Sequence, residues 1–264
     1  MQINVQVNFI SAINYLSVMS IGSVIRHFEK VTSTNTLAAS MIREKRPQEG
    51  TVITASFQEG GRGQGSNRWE SEPGKNLLMS VILYPVMVCP GDQFIISQCV
   101  SLAVRDVVRM HAQDVSIKWP NDIYVSNDKI AGILIEHSIM GDTLESTVAG
   151  IGLNINQTVF RGETVNPVSL CMLTGKSHDI KAIASELITF LDSRYKMVTT
   201  GKTRQLEEEY HAALFRRGEW HRYTDVRGEF EGMIDSVGPD GILNVSDRKG
   251  ELRKYAFKEI DYIL

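Results

Sequence analysis

The sequence predicts an α+β fold, a large mixed-sheet domain followed by a small all-β domain. Three observations carry this expectation. Strand-like and helix-like stretches alternate from Ser23 to about Leu173, with hairpin connections among them. Two helical stretches follow, Ile180–Val198 and Thr203–Phe215. After Phe215 only short strands remain, separated by turn residues at Asp225–Gly228, Gly238–Gly241 and Asp247–Gly250. The boundaries expected are 1–22 for an accessory or poorly ordered N-terminus, 23–215 for the large domain and 216–264 for a small β-barrel.

The elements follow in order. Val24–Phe28 reads as a strand. Thr34–Lys45 reads as a helix, with Ser33 or Thr34 available as its N-cap. Thr51–Phe57 is a β-branched run that stops at a glycine cluster. Asn76–Tyr84 is an apolar strand ended by Pro85. Asp92–His111 repeats apolar residues at Ile95, Cys99, Ala103, Val107 and Met110, a helical period. Val115–Trp119, Ile123–Ser126, Lys129–His137 and Thr147–Asn154 read as strands, with Asn127-Asp128 as a hairpin turn.

The chain has 264 residues, enough for a buried core, and a net charge of -3, which offers no global positive field for nucleic acid. The first twenty residues are interrupted by Gln2, Asn4, Gln6, Asn8 and Asn14. They lack the basic start and cleavage pattern of a signal peptide, and they are too polar to span a bilayer. Cys89, Cys99 and Cys171 have no metal-binding spacing and read as reduced thiols, which predicts a cytoplasmic protein.

Four segments carry chemistry. Gly60-Gly61-Arg62-Gly63-Gln64-Gly65 follows a strand, and glycines let backbone N–H groups approach an anion. It is neither named phosphate loop. The third glycine of a dinucleotide fingerprint is Ser66, and the lysine of a P-loop is also Ser66. A second Gly-Lys-Ser, at Gly175–Ser177, has Leu170 where the first glycine belongs. Lys118-Trp119-Pro120-Asn121-Asp122 joins two strands. Its lysine and carboxylate suit a nucleotide–magnesium site, and Pro-Asn also suits a plain turn. Lys129-Ile130-Ala131-Gly132-Ile133-Leu134-Ile135-Glu136 is a strand whose interior glycine marks close approach by a ligand or another backbone. Gly150-Ile151-Gly152-Leu153-Asn154 is a second glycine-bearing strand.

With Ser33-Thr34-Asn35 ahead of them, these segments resemble the biotin protein ligase family over about residues 24–264. The family pattern runs in the same order: S-T-N, GRGRxGRxW, KWPND, KxxGILxE and GxGxN. There is no room for a winged-helix domain before Ser33, so the resemblance implies a monofunctional member without DNA binding. It also implies a mixed-sheet catalytic domain of the biotin/lipoate ligase type with an SH3-like C-terminal barrel.

The implied reaction uses ATP, Mg²⁺ and biotin. Biotinyl-5′-AMP forms, and its biotinyl group passes to a lysine of a biotin carboxyl carrier protein or carboxylase biotin domain. Biotin contacts are implied for Ser33, Thr34, Asn35, Gln58, Gly61, Arg62, Gly63, Gln64, Lys129, Gly132, Gly150 and Gly152. ATP contacts are implied for Arg62, Gln64, Trp69, Lys118, Asn121, Lys129 and Asn154, and Mg²⁺ for Asn121 and Asp122. Arg62, Lys129 and Lys118 are the implied catalytic cations, because two anions must meet. Nucleic acid and membrane are not expected partners, and homodimerisation is left open. The alternatives are a lipoate ligase-like acyl-adenylating enzyme, which would lack KWPND, and a non-catalytic biotin sensor, which would need a DNA-binding surface.

The glycine loop departs from the family pattern. Gln64 stands where a second arginine is expected, and Ser66-Asn67 where the later glycine–arginine pair is expected. This predicts a loop that holds the intermediate less tightly. Gln64→Arg should slow release of biotinyl-AMP, followed by dialysis of the loaded protein; equal release from the two proteins would contradict it.

Overall fold

The computed structural model describes residues 21–65, 67–162 and 166–263. Residues 1–20 and Ser66, to which the sequence reading assigned an accessory segment and a family departure, lie outside the described residues. Ile21 and Gly22 had been grouped with that segment, but they belong to the packed body. Ile21 is buried and its N–H donates to Asp192 Oδ1 at 3.0 Å; the Gly22 N–H donates to the Gly50 carbonyl at 2.9 Å.

Seven strands form the main sheet: β1 (Ile25–Val31), β2 (Val52–Gln58), β3 (Leu77–Leu83), β4 (Val115–Lys118), β5 (Asp122–Val125), β6 (Asp128–Met140) and β7 (Thr143–Leu153). Their spatial order is β1-β2-β3-β7-β6-β5-β4. β1 and β2 run parallel, joined through helix α1 (Thr34–Lys45), and every other pair is antiparallel. The sheet is therefore mixed, as expected. The β5–β6 hairpin turns one residue earlier than the sequence suggested. Val125 pairs with Asp128, and Ser126 takes the positive φ of 52°, so the turn is Ser126-Asn127.

Helices cover both faces. β3, Leu-Leu-Met-Ser-Val-Ile-Leu, is buried throughout, and alternation sorts its side chains between the layers. Met79, Val81 and Leu83 enter the larger core with α2 (Phe94–Arg109) and α4 (Ile180–Thr199). Ile82 packs on the other face with Ala38 of α1, Ile53 and Val148. Ser80 shares that second face by the same alternation. α2 opens after a 3-10 turn at Pro90–Asp92, two residues later than predicted. A short helix α3 (Leu170–Thr174) escaped the sequence reading, being a little over one turn. It ends at Gly175, with φ 71°, so the Gly-Lys-Ser there is a helix stop.

After α5 (Thr203–Ala213) the chain builds a second sheet from β8 (Trp220–Asp225), β9 (Gly228–Val237), β10 (Leu243–Asp247), β11 (Leu252–Tyr255) and β12 (Ile260–Tyr262). It is antiparallel, in the order β11-β10-β9-β8-β12, with turns where the sequence placed them. Tyr223, Ile234, Leu243, Val245 and Tyr255 fill its interior. This sheet docks on the large one. The Phe215 N–H donates to the Ile117 carbonyl at 2.9 Å, and Trp119 Nε1 donates to the Gly241 carbonyl at 3.0 Å. The docking brings part of the small sheet to the edge of the site.

Candidate active site

The site begins with missing side chains. In the β3–β7–β6 ladder, Leu78 lies opposite Gly152, and Gly152 opposite Gly132. One row along, Ser80 lies opposite Gly150, and Gly150 opposite Leu134. Two adjacent rows thus carry three glycines on one face, leaving a shallow bed. The indole of Trp69 rests in it. A Cβ on Gly152 would come within 2.4 Å of the Trp69 ring, and one on Gly132 within 2.7 Å. A Cβ on Gly150 would come within 2.1 Å of Asn35 Oδ1. The close approach predicted for Gly132 is therefore made by a tryptophan, and for Gly150 by an amide.

A chain of hydrogen bonds runs beside this bed. The Thr34 N–H and Oγ1 both donate to Gln58 Oε1, at 2.8 and 3.0 Å. Ser80 Oγ lies 2.7 Å from both Thr34 Oγ1 and Asn35 Oδ1. Asn35 Nδ2 donates to the Leu134 carbonyl at 3.2 Å and to Glu136 Oε2 at 2.9 Å. Glu136 then receives Arg62, NH2 to Oε1 at 2.7 Å. Ser33 occupies the N-cap position of α1 without a side-chain cap bond, and Gln58 takes the first-turn N–H instead.

The glycine loop folds back on itself as a narrow ribbon. Arg62 bridges Arg68, the Gly63 N–H donates to the Asn67 carbonyl at 2.8 Å, and the Trp69 N–H donates to the Gly61 carbonyl at 3.0 Å. A Cβ on Gly61 would meet the Trp69 carbonyl at 2.4 Å, so glycine there is required by chain packing. The ribbon carries Trp69 onto its bed. Trp69 Nε1 is buried with no hydrogen-bond partner among the described residues. An unmade bond of this kind costs about 1–3 kcal/mol. A ligand acceptor reaching it would recover part of that.

The far end of the cleft is cationic. Lys129 Nζ meets Asp122 Oδ2 at 2.5 Å. Lys118 Nζ lies over the rings of Tyr124 and Tyr262, 5.2 and 4.7 Å from their centroids. Burial holds the Lys118 ammonium below the ordinary lysine range; Asp122 opposes this and nearby Lys129 reinforces it. Burial, with Asp122 and Asp128 adding to it, raises the Tyr124 phenol. An incoming anion would favour the charged form of Lys118.

These groups line one cleft of about 940 Å³. It brings together Ser33, Thr34, Asn35, Gln58, Gly61, Arg62, Gly63, Gln64, Trp69, Lys118, Asn121, Asp122, Lys129, Gly132, Gly150 and Gly152. Asn154 is not among them. It is 2% exposed, and its Nδ2 donates to the Val168 carbonyl at 3.1 Å, so it braces the strand end beneath the site. Among the described residues no three His, Cys, Asp or Glu side chains form a metal-holding group. Sequence reasoning missed Ser80, Tyr124, Phe257 and Asp261, and gave Glu136 no role. A lone hydroxyl in an apolar strand was a signal for Ser80. Phe257 and Asp261 had none, because docking of the second sheet places them in the cleft.

The Biotin/lipoate A/B protein ligase family model matches residues 27–154, the segment that holds the bed, the glycine loop and the cationic end. Residues 27–154 are a domain of the biotin/lipoate ligase family. The likeness of this ligase domain extends beyond the matched segment. The chain is 29% identical to the biotin--[acetyl-CoA-carboxylase] ligase of Mycobacterium tuberculosis, over 88% of this chain and 84% of that protein. It is 27% identical to the bifunctional ligase/repressor BirA of Bacillus subtilis, over 89% of this chain and 73% of that protein. The fold matches the biotin protein ligase of Aquifex aeolicus in complex with biotin and ATP, with a TM-score of 0.74 and 21% identity, covering 90% and 98% of the two chains.

Within the ligase domain, Ser80 is the buried hinge of the polar chain. Ser80→Ala should cost about 1–3 kcal/mol in urea denaturation, because Asn35 Oδ1 loses its donor inside the fold. A loss below ~0.5 kcal/mol would contradict this account of the chain.

Proposed function

We propose that the chain is an ATP-dependent biotin protein ligase that forms biotinyl-5′-AMP and transfers biotin to a lysine of a biotin carboxyl carrier protein. One observation carries the reading: a single cleft joins a chain of neutral hydrogen-bonding groups to a set of cations. The neutral end suits a ureido ring, which must keep its bonds when buried. Gln58, Thr34 and Asn35 line the cleft and can supply them, with Ser80 holding Thr34 and Asn35 from beneath, and the Trp69 indole gives an apolar face for the bicycle. The cationic end suits a carboxylate meeting a triphosphate.

In the first step a biotin carboxylate oxygen attacks the α-phosphorus. The bond to the bridging oxygen breaks, and pyrophosphate leaves with the electron pair. Negative charge gathers at the phosphoryl oxygens, so fixed cations lower the barrier. Arg62 and Lys129 are the cations assigned there. Each is held by a carboxylate in the free protein, Arg62 by Glu136 and Lys129 by Asp122. Ligand anions would replace these carboxylates as partners. Lys118 would face the triphosphate.

Mg²⁺ would arrive with ATP. Asn121 and Asp122 offer one amide and one carboxylate, which suits an ion that keeps several waters and takes phosphate oxygens. In the second step the acceptor lysine amine attacks the acyl carbon and AMP leaves. That nucleophile comes from the partner, and none of the three cysteines is needed. Among the described residues no helix is long and apolar enough to cross a membrane.

The protein with ATP, Mg²⁺ and biotin should release pyrophosphate and label an acceptor domain, and lipoate in place of biotin should give neither. Biotin-independent release, or none, would refute the reading. Arg62→Ala should lower the rate by about 100-fold or more, the scale of one removed charge-stabilising group. Gln64→Ala should change it far less, and equal losses would contradict the role given to Arg62.

A further inference from the structure

Lys118 ends β4 at the cationic end of the cleft, and it differs from the other two cations there. Arg62 pairs with Glu136, and Lys129 pairs with Asp122. Among the described residues Lys118 makes no ion pair, and its one side-chain hydrogen bond is a long donation of 3.4 Å to Tyr124 Oη. Aromatic rings surround the ammonium instead. Nζ lies 5.2 Å from the ring centroid of Tyr124 and 4.7 Å from that of Tyr262. Phe215 stacks on both rings, at 5.6 Å from Tyr124 and 6.3 Å from Tyr262. Tyr124 belongs to β5 of the large sheet and Tyr262 to β12 of the small one, so the surroundings of Lys118 are built by both.

Tyr262 is fixed from its own side. It lies opposite Tyr223 in the β12–β8 pair, and the two rings meet edge-on with centroids 5.2 Å apart. The next residue is pinned at both ends. The Ile263 N–H donates to the Arg222 carbonyl at 3.1 Å, and the Ile263 carbonyl accepts from Arg216 Nη1 at 2.9 Å. The small sheet therefore places the Tyr262 ring without help from Lys118. Asp261, the residue before it, lines the cleft, but Tyr262 does not. Tyr262 can thus act on a bound nucleotide only through Lys118. Its Oη is buried and has no hydrogen-bond partner among the described residues. What Lys118 uses is the ring face.

We propose that Tyr262 is a positioning residue for ATP binding: with Tyr124, its ring holds Lys118 as an unpaired cation ready to receive the triphosphate. This rests on the ligase reading above. A ring face attracts an ammonium through its quadrupole and leaves the charge unneutralised. A phosphate oxygen that reaches Lys118 therefore displaces no carboxylate, whereas at Arg62 and Lys129 it would. The rings also confine a flexible four-carbon stem, so less freedom is lost when the phosphate binds. The small sheet contributes to nucleotide binding here through a residue that never touches the nucleotide.

The test compares KM for ATP with KM for biotin in biotin-dependent pyrophosphate release by the full chain. Tyr262→Leu should raise KM for ATP about tenfold, the scale of one desolvated cation–π contact, and leave KM for biotin within about twofold. Tyr262→Phe keeps the ring and should restore KM for ATP to within about twofold of the wild type. Trp220→Leu is the control. It removes the Arg248–Trp220 contact of 3.9 Å in the same sheet, away from the cleft, and should change neither constant. In a Lys118→Met background, Tyr262→Leu should add less than about twofold, because its effect passes through Lys118. Additive losses, or an equal rise in both KM values, would mark a structural role and overturn the proposal. If Tyr262→Leu does not fold, phenylalanines with successively more ring fluorines in place of Tyr262 keep the shape and weaken the ring face. KM for ATP should climb along that series, and a flat series would overturn the proposal. A wild type that binds no ATP in calorimetric titration would sink the ligase reading and this proposal together. One that binds ATP with no dependence on the ring at 262 would sink this proposal alone.

Discussion

The antiparallel pairing of β6 with β7 sets Gly132 opposite Gly152, and the rest of the site depends on that register. A one-residue slip of β6 would turn Gly132 to the other face and set Ala131 or Ile133 beside Gly152 in its place. With the register kept, three glycines open a bed on one side of an otherwise well-filled sheet. Trp69 and Asn35 occupy it, in the space a side chain at these positions would take. Asn35 then reaches Ser80, Leu134 and Glu136, and through Glu136 it fixes Arg62. Recognition of a neutral ring and placement of a reacting cation therefore have one origin in strand geometry.

The charges follow a consistent pattern. Arg62 and Lys129 each rest against a carboxylate, and Lys118 rests against aromatic rings. The Arg62–Glu136 pair is substantially exposed, at 49% and 35%, so it adds little to stability. Its value lies in orientation, since the guanidinium is already beside the cleft before any anion arrives. Lys118 is different. Burial opposes its charge, and the free protein is left with an electrostatic debt that a phosphate can relieve.

Much of this was legible in the sequence, and the failures have physical causes. The mixed sheet, the helices and the second sheet follow from periodicity and turn residues. Lys118, Asn121, Asp122, Lys129 and the glycine loop were recognisable because their chemistry is local to short segments. Gly132, Gly150 and Gly152 line the cleft, and Trp69 and Asn35 rest against them through contacts distant in sequence. Asn154 looked like a site amide, but it is buried just past the end of β7 and its side chain donates to the Val168 carbonyl. Phe257 and Asp261 reach the cleft only through sheet-on-sheet docking, which no local pattern announces.

The measurement that bears most directly on this account is calorimetric titration of biotin into the wild type and Gly152→Val. The β-branched residue suits a strand, so the fold should persist, but it fills the bed and expels the Trp69 indole. The account predicts that the wild type binds biotin and that the variant binds about 100-fold more weakly or worse, a loss of roughly 2.7 kcal/mol or more. Equal affinity in a folded Gly152→Val protein would contradict it.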